Sequence, residues 1–139
     1  MRFHGRVYKD GKFWLAELPI FDAMTQGRSR EEAMAMAADL LETLARQPRF
    51  KVKIHPGKGP NFEASSSDTR TLISLLLRRQ RERSGLSLAE AAKRLGAKSR
   101  NAYARYERGT SVPTVQKLAE LLRAVAPETD LALEQRIVA

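Results

Sequence analysis

Apolar and polar residues alternate from Phe3 to Tyr8 and again from Phe13 to Leu18, with Lys9-Asp10-Gly11-Lys12 between the two runs. Alternation at period two sends successive side chains to opposite faces, and Asp-Gly favours a tight hairpin, so this stretch predicts two antiparallel strands. Met24 to Gln26 predicts a short third strand ended by Gly27. The period then changes. Ala33, Met36, Ala37, Leu40, Leu41 and Leu44 fall on one broad stripe of a helix, with Ser29 placed to cap it and Glu32 to complete a capping box. Pro48 stops that helix, and Phe50 to His55 returns as a strand. The order β-β-β-α-β predicts an open sheet with a helix on one face.

From Pro56 to Asp68 the chain is rich in Pro, Gly and Ser, which favour turns and loops. A linker is expected there, although Asn61 to Ala64 has the composition of a short final strand. Beyond it the helical period takes over. Thr71 to Arg83 carries Leu72, Ile73, Leu76 and Leu77 on one side and basic residues on the other, with Asp68 or Thr69 as its cap. Ser87 is placed to cap a helix with apolar positions Leu88, Ala91, Ala92 and Leu95. Gly96 can end it in the left-handed conformation, and Ser99 can cap the next helix. A last helix from about Thr114 to Val125 uses Val115, Leu118, Leu121, Leu122 and Val125. The expected division is an α+β domain over 1–62, an all-α domain over 69–127 and a tail over 128–139. The tail's irregular apolar run, Leu131, Leu133, Ile137 and Val138, fits either packing on a partner subunit or a frayed end.

In the helix after Ser99, Ala102, Tyr103 and Tyr106 share one side and are expected inward. Arg100, Asn101, Ala104, Arg105 and Arg108 then face out. An α-helix fits the major groove, and Arg and Asn pair bidentately with guanine and adenine edges. Arg100, Asn101 and Arg105 are therefore the candidate base contacts, and Arg78, Arg79, Lys98, Ser99 and Arg108 the candidate phosphate contacts, on double-stranded operator DNA.

Charge supports this reading independently. The chain of 139 residues has 25 Lys plus Arg against 16 Asp plus Glu, a net charge of +9. Between Arg70 and Arg108 eleven basic residues face only three acids, a net +8 on the two motif helices and the helix before them. Phosphate neutralisation by such a cluster yields sequence-independent affinity with steep salt dependence. Single readers bury little surface, so a homodimer or higher even oligomer is expected, on half-sites about 34–36 Å apart or multiples of that. No cysteine is present, which excludes disulfides and cysteine-ligated metals. The start shows no apolar stretch resembling a signal peptide, and the longest apolar run, at Leu75-Leu76-Leu77, is too short to span a bilayer. A cytoplasmic protein without membrane contact is expected.

Leu72 to Val125 resembles the helix-turn-helix of the Cro and lambda-repressor type, the XRE family. The resemblance lies in Gly85-Leu86-Ser87, Leu95-Gly96, Arg105-Tyr106-Glu107-Arg108-Gly109 and the helix begun at Pro113-Thr114. Leu88 stands where that family usually has Gln, and the turn from Gly96 to Ser99 is about one residue longer than usual.

Residues 1–62 resemble the HicB antitoxins of bacterial toxin–antitoxin pairs. The matching pieces are Lys12-Phe13-Trp14-Leu15-Ala16-Glu17-Leu18-Pro19, then Thr25-Gln26-Gly27, then Glu31-Glu32-Ala33-Met34 leading into a long helix. The departure lies at Ile20 to Met24, where many relatives have Asp-Leu-Pro-Gly-Cys. The resemblance implies a partial ribonuclease H-like fold, a small mRNA-cleaving HicA-like toxin as partner, and repression of the chain's own operon. A stand-alone regulator with an N-terminal dimerisation or ligand-sensing domain is the alternative.

An enzyme is not expected. Asp10 serves the hairpin, Glu31 and Glu32 the helix start, and Asp39 and Glu42 are expected at the surface. Glu17 and Asp22 alone make a poor two-metal site. His4 and His55, expected on neighbouring strands, lack a third ligand. The sequence therefore implies no catalytic residue, no metal and no cofactor.

Overall fold

The computed structural model of the chain describes residues 1–138. Strands β1 (Arg2–Asp10) and β2 (Phe13–Leu18) pair up to Asp10 opposite Phe13, closing on the two residues Gly11-Lys12. Gly11 has φ 61°, the left-handed value that such two-residue turns demand. Strand β3 (Ala23–Gly27) follows β2 through a 3-10 turn at Pro19–Phe21, and helix α1 (Arg30–Ala45) then leads to β4 (Lys53–Pro56) and β5 (Asn61–Ser65). The sheet order is β3-β2-β1-β5-β4, and every neighbouring pair is antiparallel.

Asn61 to Ser65 is thus a strand, and it enters the sheet between β1 and β4 rather than extending a linker. Phe62 and Ala64 alternate inward and are fully buried. Phe62 lies opposite Gly5 of β1, and a Cβ on Gly5 would come within 2.4 Å of its ring, so the missing side chain on one strand makes room for the aromatic on the next. The fourth strand begins at Lys53, later than the expected Phe50. Phe50 is instead buried in the loop after α1, and Glu42 accepts from the Val52 N–H at 2.9 Å. On α1 the buried positions are Ala33, Met34, Ala37 and Leu41, whereas Met36, expected inward, is exposed. The helix is rotated because its start is pressed against β3: a Cβ on Gly27 would lie 2.5 Å from the Ala33 nitrogen.

The remaining helices are α2 (Thr69–Arg83), α3 (Leu88–Arg94), α4 (Asn101–Glu107) and α5 (Val115–Val125). Only Ser66 to Asp68 separate β5 from α2. Every residue of α2 from Leu72 to Leu77 is buried, Leu75 and Ser74 included. The helix has partners on two sides: α1 and the 3-10 turn on one, α4 and α5 on the other. One apolar core consequently runs from Phe3 in the sheet to Ala126 after α5. The described residues beyond α5 have no regular structure and return to the sheet, where Arg136 pairs with Glu63 of β5 at 2.6 Å and Leu131 packs on the core. Among the described residues no helix is long and apolar enough to cross a membrane.

Candidate DNA-binding surface

Ser87 accepts from the Glu90 N–H at 3.1 Å, and Glu90 accepts from the Ser87 N–H at 3.2 Å, a reciprocal cap that starts α3. The bonds with Ser87 hold the Glu90 carboxyl below its ordinary value. At the other end Gly96 takes φ 76°, its N–H donates to Lys93 O, and the Ala97 N–H donates to Ala92 O. These paired bonds close the last turn and redirect the chain, which a side chain at Gly96 would resist. Ser99 accepts from the Asn101 N–H at 3.2 Å through its hydroxyl and from the Ala102 N–H through its carbonyl, but the cap of α4 is Arg100, one residue later than expected, and it makes no side-chain capping bond.

Helix α4 buries Tyr103, Ala104 and Tyr106. Ala104, expected outside, lies inside, and Ala102 is only half-buried. The helix is turned by the fixed attachments of its inner face. Tyr103 donates its hydroxyl to Leu77 O at 3.2 Å, and burial pushes its phenol well above the usual range. Ser74 of α2 donates to Tyr106 O at 2.8 Å, and Arg81 of α2 forks onto Glu107. What remains exposed is Lys98, Ser99 and Arg100 in the turn and Asn101, Arg105 and Arg108 one helical turn apart. Arg105 lies over the Tyr106 ring, 5.0 Å from its centroid, and donates to the Tyr106 hydroxyl at 3.3 Å. Arg108 donates to the Asn101 side-chain oxygen.

Residues 72–132 match a family model described as a helix-turn-helix domain. The match runs from α2 to the segment beyond α5, with α3 and α4 as the two motif helices. A search of the curated proteins found no match to the chain.

Of the residues singled out for DNA, the helix-turn-helix brings Lys98, Ser99, Arg100, Asn101, Arg105 and Arg108 onto one exposed surface. Arg78 and Arg79 turn toward the sheet half, although Arg78 lines one cleft with Arg108. Arg79 donates from Nε to Phe21 O at 2.8 Å and from Nη2 to Asp22 O at 2.6 Å, and Arg78 donates to Leu44 O. Together with Gln80, which donates to Ile20 O at 2.6 Å, they fasten the helix-turn-helix to the sheet half. Burial, and then repulsion from Arg46 and Arg79 against attraction from Glu82 and Glu107, lowers the Arg78 guanidinium from its ordinary value. Arg70, not singled out from the sequence, donates to Gly109 O at 2.7 Å and holds the end of α4. Its signal was its place at the start of the charged stretch. His4 and His55 are not on neighbouring strands. They sit on β1 and β4 with Glu63 of β5 between them, and His55 shares a 2.7 Å hydrogen bond with the Ser65 hydroxyl.

Proposed function

We propose that the chain is a HicB-type antitoxin that masks a small mRNA-cleaving HicA-like toxin through its sheet half and represses its own operon through its helix-turn-helix. The exposed row of Arg100, Asn101 and Arg105 on a helix fixed to α2 carries the DNA part of this reading: Arg and Asn edges stand outward while the tyrosines are buried behind them. For the sheet half, the β-β-β-α order and the seat of Gly27 against the Ala33 backbone support the partial ribonuclease H-like, HicB-type reading of Thr25-Gln26-Gly27 and Glu31-Glu32-Ala33-Met34. The reading assigns no catalytic step and no cofactor.

Pairing of two copies belongs to the same proposal. Edge strand β4 carries Lys53 and Pro56, residues that discourage pairing, whereas edge strand β3 (Ala23–Gly27) contains neither Lys nor Pro. A dimer through β3 would set two readers on one operator. Co-expression with the adjoining short reading frame, affinity capture and a mobility-shift assay on the upstream DNA test the proposal. A co-purifying small basic ribonuclease and a shifted upstream fragment are expected. DNA binding without any such partner would overturn the antitoxin reading and leave a stand-alone regulator.

A further inference from the structure

A cleft of about 350 Å³ opens where the end of α1, the first turns of α2 and the end of α4 meet. Three guanidiniums line it, those of Arg70, Arg78 and Arg108, along with two carboxylates, Asp68 and Glu107. Both carboxylates are already engaged. Asp68 accepts from the Thr71 N–H at 3.0 Å and the Thr71 hydroxyl at 2.6 Å, and Glu107 takes both prongs of Arg81. Arg70 uses one nitrogen of its head on Gly109 O and Arg108 one on the Asn101 side chain, while Arg78 donates to Leu44 O and also pairs with Glu82, Nε to Oε1 at 3.9 Å. A guanidinium carries five N–H donors, so each keeps several for another acceptor. Three arginines around one opening, with the local acids bonded elsewhere, form a site for a multiply charged oxyanion, and the guanidinium fork matches phosphate geometry.

We propose that this cleft binds a phosphate group and that its occupant controls Asn101. The second half of the proposal rests on α4 being the base-reading helix. To read adenine, an asparagine must accept from N6 with its side-chain oxygen and donate to N7 with its amide. In this structure that oxygen is occupied by Arg108. A phosphate in the cleft draws Arg108 toward Arg70 and Arg78 and frees the oxygen for a base. Occupancy and operator binding are then positively coupled, each strengthening the other by the same factor. The phosphate belongs either to a small phosphorylated molecule or to the backbone of the bound duplex.

Calorimetric titration of the full chain with inorganic phosphate at constant ionic strength, beside anisotropy titration with upstream duplex, separates the sources. Saturable phosphate binding, weakened at least tenfold by Arg70→Gln and by Arg108→Gln but unchanged by Lys9→Gln, is expected for a small-molecule site. Circular dichroism checks that each variant is folded. Failure of free phosphate to bind, with Arg70→Gln reducing the salt slope of duplex binding by about one, assigns the site to the DNA backbone. If Arg70→Gln and Arg108→Gln change neither titration, the cleft is not a phosphate site. If phosphate binds yet leaves wild-type duplex affinity unchanged, the control of Asn101 is overturned. Normal phosphate binding by a wild-type chain that binds no duplex would sink the helix-turn-helix reading and leave the cleft standing.

Discussion

Arg81 of α2 holds both carboxylate oxygens of Glu107 at the end of α4, with Nε to Oε1 at 2.6 Å and Nη2 to Oε2 at 3.1 Å. Its remaining Nη1 donates to Leu86 O at 2.8 Å, so one guanidinium joins α2, the lead into α3 and the end of α4. Both side chains are mostly shielded, at 14% and 8% exposure. Glu107 therefore raises the Arg81 guanidinium above its ordinary value, against the opposing effect of burial. Removing either partner strands the other charge. Arg81→Met or Glu107→Leu alone is expected to lower stability by about 3 kcal/mol in urea unfolding. The double variant is expected to be more stable than the worse single one, and additive losses would show that the pair is not coupled.

Arg79 tests the seam between the halves. Its two bonds to Phe21 O and Asp22 O are charge-assisted and partly buried, so Arg79→Gln is expected to cost about 2 kcal/mol of stability. The salt slope of DNA binding is expected to stay the same. Lys98→Ala, on the exposed turn, is expected to do the reverse, keeping stability and reducing the slope by about one. A reduced slope in Arg79→Gln would return Arg79 to the phosphate-contacting set.

Base readout is expected to centre on Arg105. Arg105→Ala is expected to weaken operator binding by roughly 1–3 kcal/mol and relax preference at one base position. Tyr106→Phe keeps the ring under the guanidinium but removes the hydroxyl that Arg105 bonds, so a smaller loss at the same base position is expected. Binding across a panel of single-base operator variants measures both. Equal loss on specific and random duplex would mean that Arg105 contacts only the backbone.

Gly27→Ala is expected to destabilise the sheet half. The added methyl would lie 2.5 Å from Ala33 N and 2.9 Å from Ala33 Cα, backbone atoms that can retreat only by moving α1. Overpacking of this kind costs about 1–3 kcal/mol. An unchanged urea midpoint would show that α1 moves freely against β3.

Asp68 and His55 are two of the groups that carry acid sensitivity, beside Glu90. Bonds from the Thr71 hydroxyl and then the Thr71 N–H hold Asp68 below its ordinary value, so its contribution is present above the usual carboxylate range and is lost as pH falls through the folded value. Burial, then Arg2 and Lys53, lowers His55 from 6.5, partly offset by Glu63. The folded chain prefers the neutral ring, so stability is full above 6.5 and declines as pH falls from there toward the folded value. His55→Gln is expected to flatten the stability profile just below 6.5, and Asp68→Asn at lower pH. Unfolding midpoints across pH check both, and an unaltered profile in His55→Gln would rule out its share.

Features set by neighbours in the chain were legible from the residues. Ser29, Asp68 and Ser87 all cap helices, Gly96 takes the left-handed turn, and Gly11 closes the hairpin. Each depends on bonds across two to four residues, which composition and spacing specify directly. The tyrosine pair was legible for a similar reason, since two large apolar rings three residues apart select the inner side of a short helix.

By itself, then, the sequence determined the helices, the first three strands and the polar and basic residues exposed at the start and along α4, because local bonding and apolar period decide them. Tertiary structure decided how far each helix turned and where each cation went. Ala104 went inside because Arg81, Ser74 and Leu77 hold α4 from behind, and Asn61 to Ser65 became a strand because Phe62 found the space over Gly5. Arg78 and Arg79 look like their exposed basic neighbours in the sequence. Only the folded chain brings the carbonyls of Leu44, Phe21 and Asp22 beside them, and an unpaired buried carbonyl is costly enough to capture a guanidinium that would otherwise face solvent.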